Sequence, residues 1–466
     1  KIKYKWGLFM KKINNKIKSF WGISEVGFSF MSTVETTFFV IFLTDVAQLP
    51  LALVAAITSV AGIADAITAM LAGVIIDKVN FKHGKYRPWL IYLPPFVVAF
   101  FVLMFTKIGS DPVAALLCGL GYVLSHAIWN ICWTANRTLV GELTDDPEER
   151  AFLSGRISAG SSAGKILASY FVPVLNLFFL GIFASSTGVI GYTMTALIAS
   201  VTFTVCYLIH FAITKGYDEP KEVLDENAKH AKSISFKDMG KSIVSNPQLL
   251  LVLIFDFLKL IGYYTLMATV AYYAKVVLQD EAAMSIILVV FNVGALVGSL
   301  ISKNVVAKIG SKMTNIVGVL GFAVCLVAIY VMPANMMIVT VLLGIAQIFF
   351  GISYGNTTSL YSNCGTYSEY KTGKNTKAVI MSFSSLAIKI SIAVRGVVIT
   401  SVLSAIGYHA NAAITSSTVS GIKMLCLVVP IIFLVASVIP LLGYIIKDSD
   451  IAVMERELQE KAKVNY

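Results

Sequence analysis

Charge is what this 466-residue chain has least of. Only 14% of its residues are Asp, Glu, Lys or Arg, against about 25% in a typical soluble domain. A chain so poor in charge does not read as a soluble globular protein. Histidine is scarce too. The five histidines, at 83, 126, 210, 230 and 409, are scattered and form no HExxH pair, so no zinc-hydrolase site is legible. The six cysteines (118, 132, 206, 325, 364 and 426) include no CxxC pair and no spacing of a secreted disulfide framework. No metal and no cofactor is expected. A polytopic membrane enzyme would need a nucleophile, base or metal set gathered near one interface, and the sequence offers none.

Apolar length is what is present. Hydrophobic residues make up 57% of the chain, and about 20 consecutive apolar residues cross a bilayer's hydrocarbon core. Twelve segments are long enough: near 20–44, 51–76, 89–108, 113–141, 157–182, 187–213, 247–275, 282–302, 313–332, 336–356, 379–405 and 420–446. They read as helices, because barrel strands are short and alternate in polarity. The expected fold is therefore an all-α membrane protein with twelve transmembrane helices. The longest polar interruption, residues 215–246, separates six spans from six. This predicts an N-terminal segment 1–19, a six-helix bundle 20–213, a linker 214–246, a second bundle 247–446 and a tail 447–466. The linker reads equally well as a surface amphipathic helix or a solvated tether. Two six-helix halves with a solute site between them near the midplane are the build of major facilitator transporters.

The net charge of +11 is topological. If both termini are cytoplasmic, 29 of the 37 Lys and Arg residues fall on that side, and only Lys107 and Lys275 on the other. That asymmetry is the positive-inside rule. It places a multi-pass protein in the cell's inner (plasma) membrane with cytoplasmic ends, and it leaves nucleic-acid binding no support. The first eighteen residues lack the apolar run and cleavage site of a signal peptide. The expected partners are the lipid bilayer and a small-molecule substrate, with the chain acting as a monomer.

An ionisable group at mid-bilayer costs several kcal/mol unless paired or hydrated, so each one is a functional candidate. In span 2, Thr58, Gly62, Asp65 and Ala69 recur at i, i+4, i+7 and i+11 on one face. In span 1, Glu25, Ser29, Ser32 and Thr36 share a face with Glu35 at its edge. Span 4 carries His126, Asn130, Trp133 and Arg137 on one face with Trp129 beside them. A Trp plane suits the apolar face of a sugar or another ring. A guanidinium fork matches a carboxylate, sulfonate or phosphate, although Arg137 could instead pair with Glu35. In span 7, Asp256 and Lys259 at i, i+3 read as a structural pair with Tyr263 continuing their face. Ser385 and Lys389 share a face of span 11, and Lys165 and Arg395 add further cations.

Several motifs carry a family resemblance. The loop between spans 2 and 3 reads GVIIDKVNFKHGKYRP (73–88), with Asp77, Lys85, Arg87 and Pro88. FLTDV (42–46) closes span 1, TDDPEERAFLSGR (144–156) fills the 4–5 loop, and TYSEYKTG (366–373) precedes span 11 with its Lys389. In order and spacing they resemble the glycoside–pentoside–hexuronide:cation symporters of the major facilitator superfamily, the melibiose-permease-like family, over roughly residues 20–446. That resemblance implies a sugar or glycoside transporter working by alternating access.

It also implies roles for single residues. Asp65 matches the first of two span 2 aspartates that hold the family's coupling cation with a span 11 lysine, here Lys389. Ala69 replaces the second aspartate. Sodium favours several hard oxygen ligands whereas a proton needs one protonatable group, so proton coupling is expected over sodium coupling, or else uncoupled transport. Asp65, Lys389, Glu35 and Thr68 form the expected coupling set. Ser29 stands at a family sugar-gripping aspartate, Trp133 at another, and Arg137 at a sugar-stacking tryptophan. The expected substrate set is Ser29, Ser32, His126, Asn130, Trp133, Arg137, Tyr263 and Ser385. The expected gating set is Asp77, Lys85, Arg87, Glu149, Arg150, Arg156 and Glu369. Deep cations (Arg137, Lys165, Lys259, Lys389, Arg395) outnumber deep anions (Glu25, Glu35, Asp65, Asp256). An acidic sugar such as a uronide, glucuronide or sulfonated sugar is favoured over a neutral one. The alternatives are a lipid-like or other amphipathic solute, sodium-coupled transport of a neutral sugar, or a transport-dead sensor.

Overall fold

In a lipid interior every backbone N–H and C=O must be satisfied within the chain, which leaves helices as the solution for these apolar runs. The computed structural model describes residues 13–79, 81, 84–144, 147–183, 188–218, 246–280, 283–372, 377–410 and 412–464. The linker expected over 214–246 lies largely outside the described residues, as does most of the N-terminal segment.

After a short helix α1 (Asn15–Phe20), span 1 is α2 (Ile23–Ile41) and span 2 is α3 (Leu51–Lys78). Span 3 comes in two pieces, α4 (Trp89–Tyr92) and α5 (Pro94–Met104). Pro94 has no N–H to give, and its ring crowds the preceding turn, so the helix breaks there. Spans 4 to 6 are α6 (Asp111–Leu143), α7 (Pro147–Ile182) and α8 (Val189–Ile213). Span 7 is α9 (Pro247–Tyr272). Spans 8 and 9 form one long element, α10 (Ala283–Val331), turned at Gly310. Spans 10 and 11 are α11 (Met336–Thr372) and α12 (Lys377–Ala405). Span 12 starts at Ser416 rather than 420, as α13 (Ser416–Lys423) and α14 (Val429–Leu442). The tail, for which no element was expected, carries α15 (Asp448–Val464).

Among the described residues three π-helical turns interrupt this pattern. One ends span 1 (Phe42–Val46), one ends span 7 (Tyr273–Leu278), and one joins α13 to α14 (Met424–Val428). The first two are each followed by a glutamine in the left-handed region, Gln48 at φ 52° and Gln279 at φ 54°. Such turns commonly mark functional positions in helices.

The halves meet along three helix pairs, α3 with α12, α2 with α9, and α7 with α10. At the first, Gly62 abuts Ala393 and Gly396 abuts Thr58 so closely that a methyl group on either glycine would overlap its neighbour. The face carrying α1, the 2–3 loop and α15 is called the terminal face below.

Candidate solute and coupling site

A cavity of about 740 Å³ lies between the halves, within the roughly 300–1,000 Å³ of small-molecule sites. Its lining comes from α2, α3, α6 and α7 on one side and from α9, α10, α11 and α12 on the other. Ser158, Ser299, Thr358 and Ser385 line it toward the terminal face and are exposed. At its other end the helices close over it.

At the centre of the seam, Asp65 of α3 meets Lys389 of α12. The Lys389 ammonium donates to both carboxylate oxygens at 2.7 Å and to Asn130 Oδ1 at 3.0 Å. The Asn130 amide in turn donates to Asp65 Oδ1 at 2.8 Å and to Thr68 Oγ1 at 3.2 Å. The Thr68 hydroxyl donates back to the Asp65 carbonyl. One amide thus bridges anion, cation and hydroxyl, and the pair is buried with charge-assisted bonds rather than bare in oil. Ala69, one turn on, lines the same cavity and brings no oxygen.

His126 sits one turn before Asn130, its ring 3.9 Å from those of both Tyr122 and Trp129. Its Nδ1 lies 2.9 Å from the Tyr122 carbonyl. A carbonyl only accepts, so Nδ1 carries a proton. A second proton on Nε2 would be a buried donor without an acceptor, which favours the neutral ring. Its Nε2 is buried without a hydrogen-bond partner, an acceptor suited to a solute hydroxyl.

Two further ion pairs border the cavity. Glu35 is bound by Arg395 of α12 at 3.2 Å, and Arg395 also donates to the Thr36 carbonyl at 2.6 Å. Tyr122 donates to Glu35 at 3.4 Å. Glu25 is bound by Arg137 at 3.0 Å through both Nε and an Nη. The pairing of Arg137 with Glu35 that the sequence left open is therefore not made. Glu35 stands almost three turns further along α2, at a depth where α12 supplies the cation. The Arg137 guanidinium also lies over the Trp133 ring, 4.7 Å from its centroid.

Ser29 shares a hydroxyl–hydroxyl bond of 2.8 Å with Ser161, and Ser32 lies on the same wall. From the second half, Tyr263 stacks on Phe350 at 4.0 Å, and Tyr264 and Tyr354 join them in the lining. Every residue of the expected substrate set borders the cavity, as do Asp65, Lys389 and Glu35. Thr68 does not, and it reaches the pair through Asn130. Sequence reading missed Phe28, Tyr264, Phe350 and Tyr354, whose spacing does not separate them from the many packing aromatics.

Comparison with known proteins shows the family and the fold. A profile described as MFS/sugar transport protein matches residues 20–448. The chain belongs to that family. Like the rest of the MFS/sugar transport proteins it is a multi-pass membrane transporter and not an enzyme. It is 29% identical to an isoprimeverose transporter of Lactiplantibacillus pentosus, over 91% of this chain and 87% of that one. It is 26% identical to a glucuronide carrier protein homolog of Escherichia coli (strain K12), over 95% of each. A solved D-xylose–proton symporter superposes with a TM-score of 0.65 at 12% identity, covering 91% and 96% of the two chains, and so shares the fold.

Within this transporter fold the cavity's closed end is held by a cluster that the FLTDV motif alone does not reveal. Asp45, in the π turn of span 1, pairs with Lys275 in the π turn of span 7 and accepts from Tyr408 at 2.9 Å. Beside it, the hydroxyls of Thr44 and Tyr272 share a hydrogen bond. All of these contacts cross between the halves.

Of the expected gating residues, Lys85, Arg87 and Glu149 lie on the terminal face and make the following bonds within the first half. Arg87 donates to Thr214 Oγ1 at 3.1 Å and to the Phe211 carbonyl at 2.7 Å, and it covers the Phe211 ring. Burial pulls the Arg87 pKa below its ordinary value, against the opposing charge of Asp218. The backbone N–H groups of Lys85, Tyr86 and Arg87 all donate to the Asp218 carboxylate. Glu149 pairs with Lys18 at 3.1 Å. Burial raises its pKa, but hydrogen bonds from Lys18 and Thr144 outweigh that and hold it below the ordinary carboxylate value. Arg156 is exposed over the Phe152 ring, and Glu369 lies near the terminal-face end of α11. The side chains of Asp77 and Arg150 lie outside the described residues.

Proposed function

We propose that this chain carries a sugar or glycoside across a bacterial inner membrane by alternating access, with uphill flux driven by protons bound at Asp65. The excess of Lys and Arg on the terminal face orients that face, and both termini, toward the cytoplasm. With its cavity open there and shut at Asp45, the conformation described is inward-facing. Both walls and both gates come from one chain, which supports a monomer as the working unit.

The solute class is supported by relatives named for isoprimeverose and glucuronide. It is also supported by the cavity's mixture of ring planes and hydroxyl-seeking groups: Trp133, Tyr263, His126 Nε2 and the Ser29–Ser161 pair. The observation that carries the proton reading is the shell of Asp65. Its partners are Lys389 and the Asn130 amide, with Thr68 behind and neutral His126 and the Glu35 carboxylate nearby. No second carboxylate lies one turn away, so the oxygen cage that sodium favours is missing its usual second anion. Protonating Asp65 removes the charge that Lys389 holds and frees the α3–α12 seam to rearrange. A solute then shifts the two open states only by its differential affinity for them.

The test is uptake into proteoliposomes of a panel of neutral and acidic glycosides at varied pH and sodium. A pH gradient should drive accumulation above equilibrium, and Asp65→Asn should abolish it while leaving exchange of internal for external solute. Accumulation that rises with sodium at fixed pH, or that survives in Asp65→Asn, overturns the coupling assignment.

A further inference from the structure

The charges around the cavity do not cancel. Asp65 is matched by Lys389, Glu35 by Arg395, and Glu25 by Arg137. Among the described residues one cation is left over. Lys165, on α7, lines the cavity, and among the described residues no hydrogen bond or ion pair engages its ammonium. The charge that acts on it is Glu25, whose carboxylate Arg137 already holds through two N–H groups at 3.0 Å. Two cations therefore share one anion on this wall, and moving Glu25 from one partner to the other leaves the same surplus. Lys165 is half-buried and faces the open cavity. Closing the cavity strips its water, and an ammonium then left without a counter-charge costs several kcal/mol. A mobile anion entering with the solute supplies that charge.

We infer that the transported solute is anionic and that Lys165, flanked by Arg137, receives its negative group. This deepens the proposed function and rests on the cavity being the solute site. A carboxylate or sulfonate placed between the two cations would complete a two-by-two charge set. The Phe28 and Trp133 rings beside them, 6.1 Å apart, and the Ser29–Ser161 hydroxyls leave ring faces and hydrogen-bonding groups for the sugar body. The geometry requires the anionic group and the sugar ring to lie on the same wall, the one built by the first half.

The experiment measures binding of two probe pairs matched in size, D-glucuronate against D-glucose and 4-nitrophenyl β-D-glucuronide against 4-nitrophenyl β-D-glucoside. The readouts are thermal stabilisation and counterflow for the wild type, Lys165→Met and Lys165→Arg. The wild type should prefer the acidic member of each pair. Lys165→Met should weaken the acidic member by about 10- to 100-fold, the range of hydrogen bonds to charged groups, and change the neutral member by less than about threefold. Lys165→Arg should restore most of the loss. Should Lys165→Met not fold, Lys165→Gln, checked for an unchanged ligand-free melting curve, takes its place. Equal loss for both members, or a wild type that prefers the neutral one, overturns the charge assignment and leaves sugar transport standing. A wild type that binds none of the four probes removes both.

Discussion

The two halves use the same backbone devices and put different chemistry on them. In the first half, the 2–3 loop turns at Gly84 (φ 120°), and the carboxylate of Asp218, just past span 6, takes the N–H groups of the next three residues. In the second half, the 8–9 turn is made at Gly310 (φ 75°), and Asp448, just past span 12, takes the Ser311 N–H at 2.7 Å. Only glycine enters these conformations without strain. At Gly84 an added methyl group would also run into Asp218. Arg87 ties the first loop to the end of span 6, as Lys312 ties the second to the Tyr444 and Leu442 carbonyls. Spans 1 and 7 likewise both end in a π turn and a left-handed glutamine. The chemistry then diverges. The first half aims Glu25, Glu35, Asp65, Arg137 and Lys165 at the cavity. The second half closes its own buried charges on themselves: Lys259 binds Asp256 at 2.8 Å and Thr357 at 2.6 Å, and Tyr361 takes the other Asp256 oxygen. Among its cations, Lys389 reaches into the first half from within the lining, and Arg395 reaches Glu35 beside it. A repeated scaffold thus carries one reactive wall and one largely inert, aromatic wall.

Three results would break or sharpen that contrast. The largest effect is expected at the buried pair of the second half. Asp256→Asn alone leaves Lys259 fully buried and uncompensated, and a broken buried pair costs about 3–5 kcal/mol, so the melting temperature and yield should fall sharply. Asp256→Asn with Lys259→Met should recover stability and keep uphill transport. Loss of coupling in a stable double variant would show that the second half also carries the cycle.

A smaller change is expected at the closed end. Asp45→Asn removes the charge that holds Lys275, so labelling of a single Met267→Cys from the side opposite the terminal face should rise on the order of tenfold, as about 1.4 kcal/mol produces. Unchanged labelling would mean that the closure rests on packing. The smallest effect concerns the two loop clasps. Asp218→Asn gives up charge-assisted bonds to three N–H groups and Asp448→Asn to two, from Ser311 and the Asn363 amide. The first should therefore lower the thermal midpoint more, by about 1 °C per kcal/mol lost at this chain length. Equal shifts would show that the number of N–H bonds does not set the strength of a clasp.

Much of this was legible in the residues. Twelve apolar runs gave the spans, and i, i+3 spacing gave Asp256–Lys259, because partners on one helix are fixed by helical geometry. The Asp65–Lys389 pair was legible through family resemblance rather than spacing, since its members are 324 positions apart. What stayed hidden depends on how helices sit against one another. Depth along α2 decides that Arg137 reaches Glu25 and not Glu35, and sequence gives no relative height for two spans. The clasps of Asp218 and Asp448 were invisible for the same reason: each is an ordinary carboxylate until the chain's return brings it beneath a turn some 130 residues away. The surplus of deep cations was visible as a tally, but assigning it to Lys165 required the pairings.

The tight crossing of α3 and α12 also constrains how the machine works. Gly62 is three residues from Asp65, and Ala393 is four from Lys389, so the contact lies only about 5 Å from either charge at 1.5 Å of rise per residue. Any hinge that uses this contact as its fulcrum gives the ion pair almost no lever arm, and tilting the bundles would hardly stretch it. On the proposed coupling at Asp65, the bond is undone by a hydrogen ion rather than by leverage, with titration as the trigger and rocking as the response.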